Sequence, residues 1–223
     1  TIPQTGYTSL VPAVYYTPAA QQGSIEWITY NSEDYLNGNA PVQKTAAVYL
    51  PYGYDENDPE TRYDILYLMH GWGGAAGEYF YMGDGMVKNM LDHMIESGKL
   101  RPLIVVAATY YPTEGFTQFL PLARQVEVVS AFPRELAEDI LPAVEGKYRA
   151  IPDRDHRAVT GFSLGGTTAW YVFLQRMADF RWFLPISEAS WDDGAGGTSG
   201  IWDSDVSAQV LYNAVKNQGF SKD

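Results

Sequence analysis

The segment Gly161-Phe162-Ser163-Leu164-Gly165-Gly166 constrains this chain more than any other, because it sets a serine between glycines where an apolar strand gives way to a helix. Residues 156–160 read as a buried strand, and residues 167–173 are compatible with a buried helix. Glycines at 161 and 165 let the two elements approach closely and leave Ser163 on a strained, exposed turn, the G-x-S-x-G arrangement that presents a serine nucleophile. A second element upstream strengthens the reading. Residues 66–74 (LYLMHGWGG) form an apolar strand ending in a His-Gly-x-Gly-Gly loop. Such a loop offers backbone N–H groups that complete an oxyanion hole with the N–H of the residue after the serine, here Leu164.

Around these motifs the order of elements is that of a parallel sheet with helices on both faces. Residues 24–30 and 44–50 are β-rich runs separated by an Asn/Gly/Pro loop, which predicts a leading antiparallel pair. Strand 63–70, helix 86–97 and strand 103–108 follow, the helix with an apolar face of Met86, Val87, Met90, Leu91 and Met94. A long helical segment is expected from about 126 or 132 to 148, with Pro133 in a first turn and Ser130 as its cap. Strand 156–161, helix 163–175, strand 183–187 and helix 206–217 complete the order. Residues 1–22, with Pro3, Pro12 and Pro18, read as an irregular lead-in, and residues 23–223 as one α/β domain. The Gly/Ser/Asp-rich stretch 192–205 reads either as a connector or as a substrate-facing loop.

Composition narrows the function classes. With 223 residues, 46% of them hydrophobic, the chain can bury one substantial core. Fifteen basic against 27 acidic residues give a net charge of -12, which disfavours nucleic acid and anionic membranes as partners. No apolar run approaches the ~20 residues that span a bilayer. The absence of cysteine excludes thiolate catalysis and sulfur-ligated zinc, and His70, His93 and His156 lack metal-site spacing, so no metal or cofactor is expected.

The chain resembles the esterase D-like branch of the α/β-hydrolases, in particular the feruloyl esterases of carbohydrate esterase family 1. The matching pieces are Val48-Tyr49-Leu50-Pro51-x-Gly53-Tyr54, residues 66–74, Arg101-Pro102-Leu103-Ile104, and residues 155–166 (DHRAVTGFSLGG), in family order from about residue 7 to 223. The resemblance implies a three-layer α/β-hydrolase sandwich, mostly parallel after its antiparallel leading strands. It implies a secreted bacterial esterase that releases ferulate from plant cell-wall arabinoxylan through an acyl-enzyme on Ser163, beside adjoining glycoside hydrolase or scaffold modules. It carries the oxyanion donors to Leu164 and to Trp72 or Gly73, makes His70 a structural residue of the loop, and sets Trp191 beside the acyl pocket.

The sequence departs from the family in one respect: no histidine follows Ser163, whereas the triad in this fold runs serine, acid, histidine. The expectation is that the acid and histidine of the triad, and the closing strands, lie past Asp223. His156, seven residues before Ser163 along one strand, is about 20 Å away. His93 reads as a helix residue, and His70 as the holder of the loop or, failing that, a base. Glu188, Asp192 and Asp193 are loop or rim carboxylates. The alternatives are an acetylxylan or other small carboxylesterase, a formylglutathione hydrolase, a mycolyl-type acyltransferase, a split enzyme, or a carbohydrate-binding module of hydrolase ancestry without activity. Seventeen Tyr and six Trp suit sugar stacking as well as ordinary packing.

Overall fold

A computed structural model of the chain describes residues 11–82, 86–112, 122–187 and 204–221. Six strands form one sheet: β1 (Ser24–Asp34), β2 (Ala40–Leu50), β3 (Asp64–Met69), β4 (Leu103–Ala107), β5 (Arg157–Phe162) and β6 (Trp182–Ile186), in the spatial order β1-β2-β4-β3-β5-β6. β1 pairs antiparallel with β2, and β2 antiparallel with β4. β3 runs parallel to β4 and β5, and β5 parallel to β6. The predicted antiparallel opening and parallel remainder are both present.

The helices are α1 (Glu78–Tyr81), α2 (Met86–Glu96), α3 (Leu122–Glu135), α4 (Leu141–Lys147), α5 (Leu164–Arg176) and α6 (Ser204–Asn217). The alternating side chains of the strands divide the core into two clusters. On one face Ile28, Val48, Tyr67, Val106 and Val159 pack with residues of α3, α4 and α5, such as Val129, Phe132, Val144 and Ala169. On the other, Ala47, Tyr49, Val105 and Ala107 pack with Phe80 of α1 and partly buried Leu91 and Ile95 of α2. The result is a three-layer α/β sandwich. Among the described residues β6 is the outer strand beyond β5, and Trp182, Leu184 and Ile186 on it are exposed.

Element boundaries fall within two residues of expectation, with two differences of substance. The leading hairpin is longer than predicted, because Asp34 accepts the N–H groups of Leu36 and Asn37 at 3.1 Å and turns the chain through Gly38 and Asn39, both at positive φ. Polar Asn31 to Asp34 therefore continue the strand. Pro133 and Ser130 also do not begin a helix. Pro133 lies inside α3, Ser130 Oγ donates to the Glu127 carbonyl a turn earlier, and a π-helical turn, Leu136–Ile140, joins α3 to α4. Proline removes one helical donor and crowds the preceding turn, and the wider π turn just after it keeps Phe132, Leu136 and Ile140 buried on one face.

Helix α2 corrects a third expectation. Its most buried residues are Asn89 and Asp92, not its methionines. Asp92 accepts from the Tyr49 hydroxyl (2.8 Å), the Gly23 N–H (2.8 Å) and Lys88 Nζ (2.7 Å). With His93 Nε2 3.0 Å from the Thr17 carbonyl and Glu96 accepting from Gln21 N–H, α2 ties residues 17–23 to the sheet. A 3-10 turn, Ala13–Tyr16, lies just ahead of this segment.

Candidate active site

Adjacent parallel strands bring the two motifs together. Met69 of β3 is paired with Gly161 of β5, so the loop that starts at His70 and the turn at Ser163 leave the same sheet edge side by side. Ser163 is half-buried and sits at φ 56° and ψ -120°, a backbone state that non-glycine residues rarely adopt. Its N–H donates to the Ile186 carbonyl (2.9 Å) and its carbonyl accepts from Thr167 N–H (3.1 Å), so β6 and α5 hold the strained residue from both sides. The tight turn requires its glycines. A Cβ on Gly161 would lie 2.6 Å from the Met69 carbonyl oxygen, and one on Gly165 would lie 2.7 Å from that of His70.

Leu164 is the first residue of α5, so its N–H has no acceptor within the helix and points from the positive end of the helix dipole. Opposite it, a Cβ on Gly71 would stand 3.8 Å from Ser163 Cβ, so the His70–Gly74 loop passes beside the serine with room for little more than a methyl group between them. Trp72 is exposed. Gly73, at φ 73°, already donates its N–H to the Tyr111 hydroxyl at 3.1 Å. The chain thus sets Ser163, Leu164 and the loop residues side by side. Trp191, Glu188, Asp192 and Asp193 lie outside the described residues.

The loop is clamped by His70, singled out in the sequence, and by groups that the sequence did not single out. Gly71 O accepts from His70 Nδ1 (2.8 Å), from the Tyr110 hydroxyl (2.8 Å) and from Gly74 N–H (3.2 Å). A carbonyl can only accept, so Nδ1 carries the imidazole proton, and Nε2 accepts from Thr109 Oγ1 at 2.7 Å. Behind Thr109, its carbonyl accepts from Lys44 Nζ (2.9 Å), whose charge is met by Glu135 at 2.6 Å, and Glu135 also accepts from the Tyr30 hydroxyl (2.8 Å). Thr109, Tyr110 and Tyr111 follow the C-terminal end of β4. That position, where open α/β sheets place their sites, was the one signal available.

None of the three histidines is placed to serve Ser163. His70 has both ring nitrogens engaged, and burial, with a smaller contribution from Lys44, pushes it down to about 4. His93 lies on α2 against Thr17, and His156, in the turn before β5, pairs through Nδ1 with Asp64 at 2.6 Å. Among the described residues no cluster of His, Asp or Glu could hold a metal ion, and no helix is long and apolar enough to cross a membrane.

His70 has a consequence for stability. Its folded value of about 4 lies below the ordinary 6.5, so the unfolded chain binds the proton more tightly. The stabilisation is complete above pH 6.5 and is lost as pH falls toward 4, by about 3 kcal/mol over that window. Urea unfolding at several pH values should show this decline in the wild-type chain and a flatter one in His70→Gln. Parallel declines would remove His70 as the cause.

The Esterase family model matches residues 40–219. Over 221 residues the chain is 35% identical to endo-1,4-beta-xylanase Y of Acetivibrio thermocellus, covering 95% of this chain and 18% of that protein. Over 174 residues it is 31% identical to an endo-1,4-beta-xylanase/feruloyl esterase of Xylanibacter ruminicola, covering 77% of this chain and 22% of the other. The chain thus spans about a fifth of the length of the curated relatives it matches. Among solved structures, a serine-to-alanine mutant of the feruloyl esterase module from Clostridium thermocellum, complexed with sinapinate, superposes with a TM-score of 0.74. It is 32% identical, with 95% of this chain and 68% of that one covered. By its sheet order, its strained serine turn and these matches, the chain belongs to the esterase family of α/β-hydrolases, in the branch of the feruloyl esterases.

Proposed function

We propose that this chain is a serine carboxylic-ester hydrolase that releases ferulate or a related hydroxycinnamate from plant cell-wall arabinoxylan. The observation that carries the reading is the strained Ser163 turn lying beside the Gly71 loop. Support for the acyl group comes from the relatives, one named a xylanase/feruloyl esterase and one a feruloyl esterase module complexed with sinapinate. In this reading Ser163 Oγ attacks the ester carbonyl and its proton passes to a base. The tetrahedral oxyanion accepts from Leu164 N–H and from a backbone N–H of the loop, that of Trp72 or of Gly73. Collapse expels the sugar alkoxide, which takes up the proton, and water then cleaves the acyl-serine to regenerate the hydroxyl. The base is none of the three histidines. Trp191 is assigned to the acyl pocket, and the protein to the outside of a bacterial cell, beside glycoside hydrolase or scaffold modules.

The acyl assignment is tested by comparing methyl ferulate and methyl sinapate with acetylated xylan, with imidazole supplied as base and Ser163→Ala as background. Hydroxycinnamates should be favoured by about tenfold or more in kcat/KM. Preferential release of acetate would make the chain an acetylxylan esterase instead. Xylan retention without any Ser163-dependent release would favour the binding-module reading.

A further inference from the structure

Outside the ester site, β1 and α1 hold two exposed aromatic rings in an unusual arrangement. Trp27 and Tyr81 are 48% and 56% exposed, their planes agree within 2°, and their centroids lie 6.3 Å apart. Trp27 Nε1 donates to the Tyr81 hydroxyl at 3.3 Å. An indole N–H lies in the plane of its ring and a phenol oxygen in the plane of its own, so this bond sets the parallel rings side by side rather than one over the other. Face-to-face stacking would separate the planes by about 3.5 Å and turn the N–H away from the oxygen. The pair therefore presents two parallel ring faces side by side, a broader aromatic surface than either ring alone.

The platform is held from below. Gly77, at φ 74°, lies under Trp27, where a Cβ would stand 3.0 Å from Trp27 Cη2 and 2.8 Å from Ala47 Cβ. Its N–H donates to the Ala107 carbonyl at 3.1 Å. Trp27 is paired with Ala47, and Ala47 with Ala107, the last residue of β4, so the platform sits toward the sheet edge from which Ser163 emerges. In the order β1-β2-β4-β3-β5 it is four strand spacings from β5, a lateral distance of about 19 Å.

We propose that Trp27 and Tyr81 form a polysaccharide-binding platform, separate from the ester site, for the neutral β-linked pyranose backbone of the substrate. This rests on the proposed action on arabinoxylan. A pyranose ring with equatorial hydroxyls presents flat C–H faces that stack on aromatic rings, and two parallel exposed rings side by side take one or more such faces. A protein partner would favour an anchor in a pocket, and the flat pair offers none. The net charge of -12 selects a neutral polymer over an anionic one. The separation from Ser163 suits a chain molecule held along its backbone while a side-chain ester is cleaved.

Affinity electrophoresis in native gels containing soluble, unferuloylated arabinoxylan measures this binding without any turnover. Trp27→Ala should weaken retention by about tenfold and Tyr81→Ala severalfold. Trp27→Phe, which keeps a flat face, should retain most of it, and Ser163→Ala all of it. The melting temperature of each variant reports folding, and Tyr81→Ala at the end of α1 decides the matter if Trp27→Ala is unstable. Retention unchanged in a folded Trp27→Ala or Tyr81→Ala chain would overturn the platform and leave the esterase reading intact. Aromatic-dependent retention in a chain that shows no Ser163-dependent ester cleavage even with imidazole would do the reverse.

Discussion

Replacing Glu135 with glutamine is expected to destabilise the protein by about 3 to 5 kcal/mol. Lys44 and Glu135 are both buried, and they approach within 2.6 Å beneath the loop that faces Ser163. Burial pushes Lys44 down and Glu135 up, each toward its neutral form, so desolvation opposes the pair even as the partners attract. The pair is therefore a weak source of net stability, but half of it is far worse. Glutamine keeps an acceptor but no charge, so Lys44 is left as a buried cation facing only neutral oxygens, that of the amide and the Thr109 carbonyl. Lys44→Met should be similarly costly, because it leaves Glu135 ionised against only the Tyr30 hydroxyl. The double variant Lys44→Met/Glu135→Leu removes both charges and should cost less than either single change, a coupling read by denaturant unfolding in a double-mutant cycle. Additive losses would show that the two charges do not depend on each other.

Gly165→Ala should cost about 3 kcal/mol or more, because the new methyl meets backbone rather than a yielding side chain. Its nearest neighbours are the Met69 carbonyl, which it would overlap, and the His70 carbonyl oxygen at 2.7 Å. Relief requires the start of α5 to retreat from the end of β3. That movement would carry Leu164 N–H away from the loop and relax the Ser163 turn, so ester cleavage should fall by more than the unfolded fraction explains. Gly146→Ala is the control, since a Cβ at that helical position meets nothing within 4 Å. Equal stability of the two variants would show that α5 and β3 are not in the close contact described.

The elbow and the loop were legible in the sequence because the chemistry that demands them is local. A serine at positive φ between glycines, and a glycine-rich loop after an apolar strand, are written in consecutive residues. The clamp behind them was not, because its parts meet only in the folded chain. Lys44 and Glu135 are 91 residues apart, and Tyr49 and Asp92 are 43 apart. Each charged residue taken alone reads as a solvated position in a strand or helix. Asp92 shows the cost of that rule, since the apolar face assigned to α2 ranked methionines above the carboxylate that holds the N-terminal segment. Pro133 misled for a related reason. Local preference puts proline in a first turn, but burial of Val129, Phe132 and Leu136 against the sheet carries the helix through it.

In the proposed reaction Ser163 is the nucleophile, Leu164 and the loop after His70 supply the oxyanion donors, and the base is none of His70, His93 and His156. The measurement that tests it most directly is methyl ferulate hydrolysis by the 223-residue chain and by Ser163→Ala, each with and without free imidazole. The predicted result is little difference between the two without imidazole, and a rise of about tenfold or more with it, confined to the chain that keeps Ser163. Turnover of about 1 s⁻¹ or more without imidazole, abolished by Ser163→Ala, would mean that a base within the chain already serves the serine. Equal rates for both chains in imidazole would remove Ser163 from the chemistry altogether.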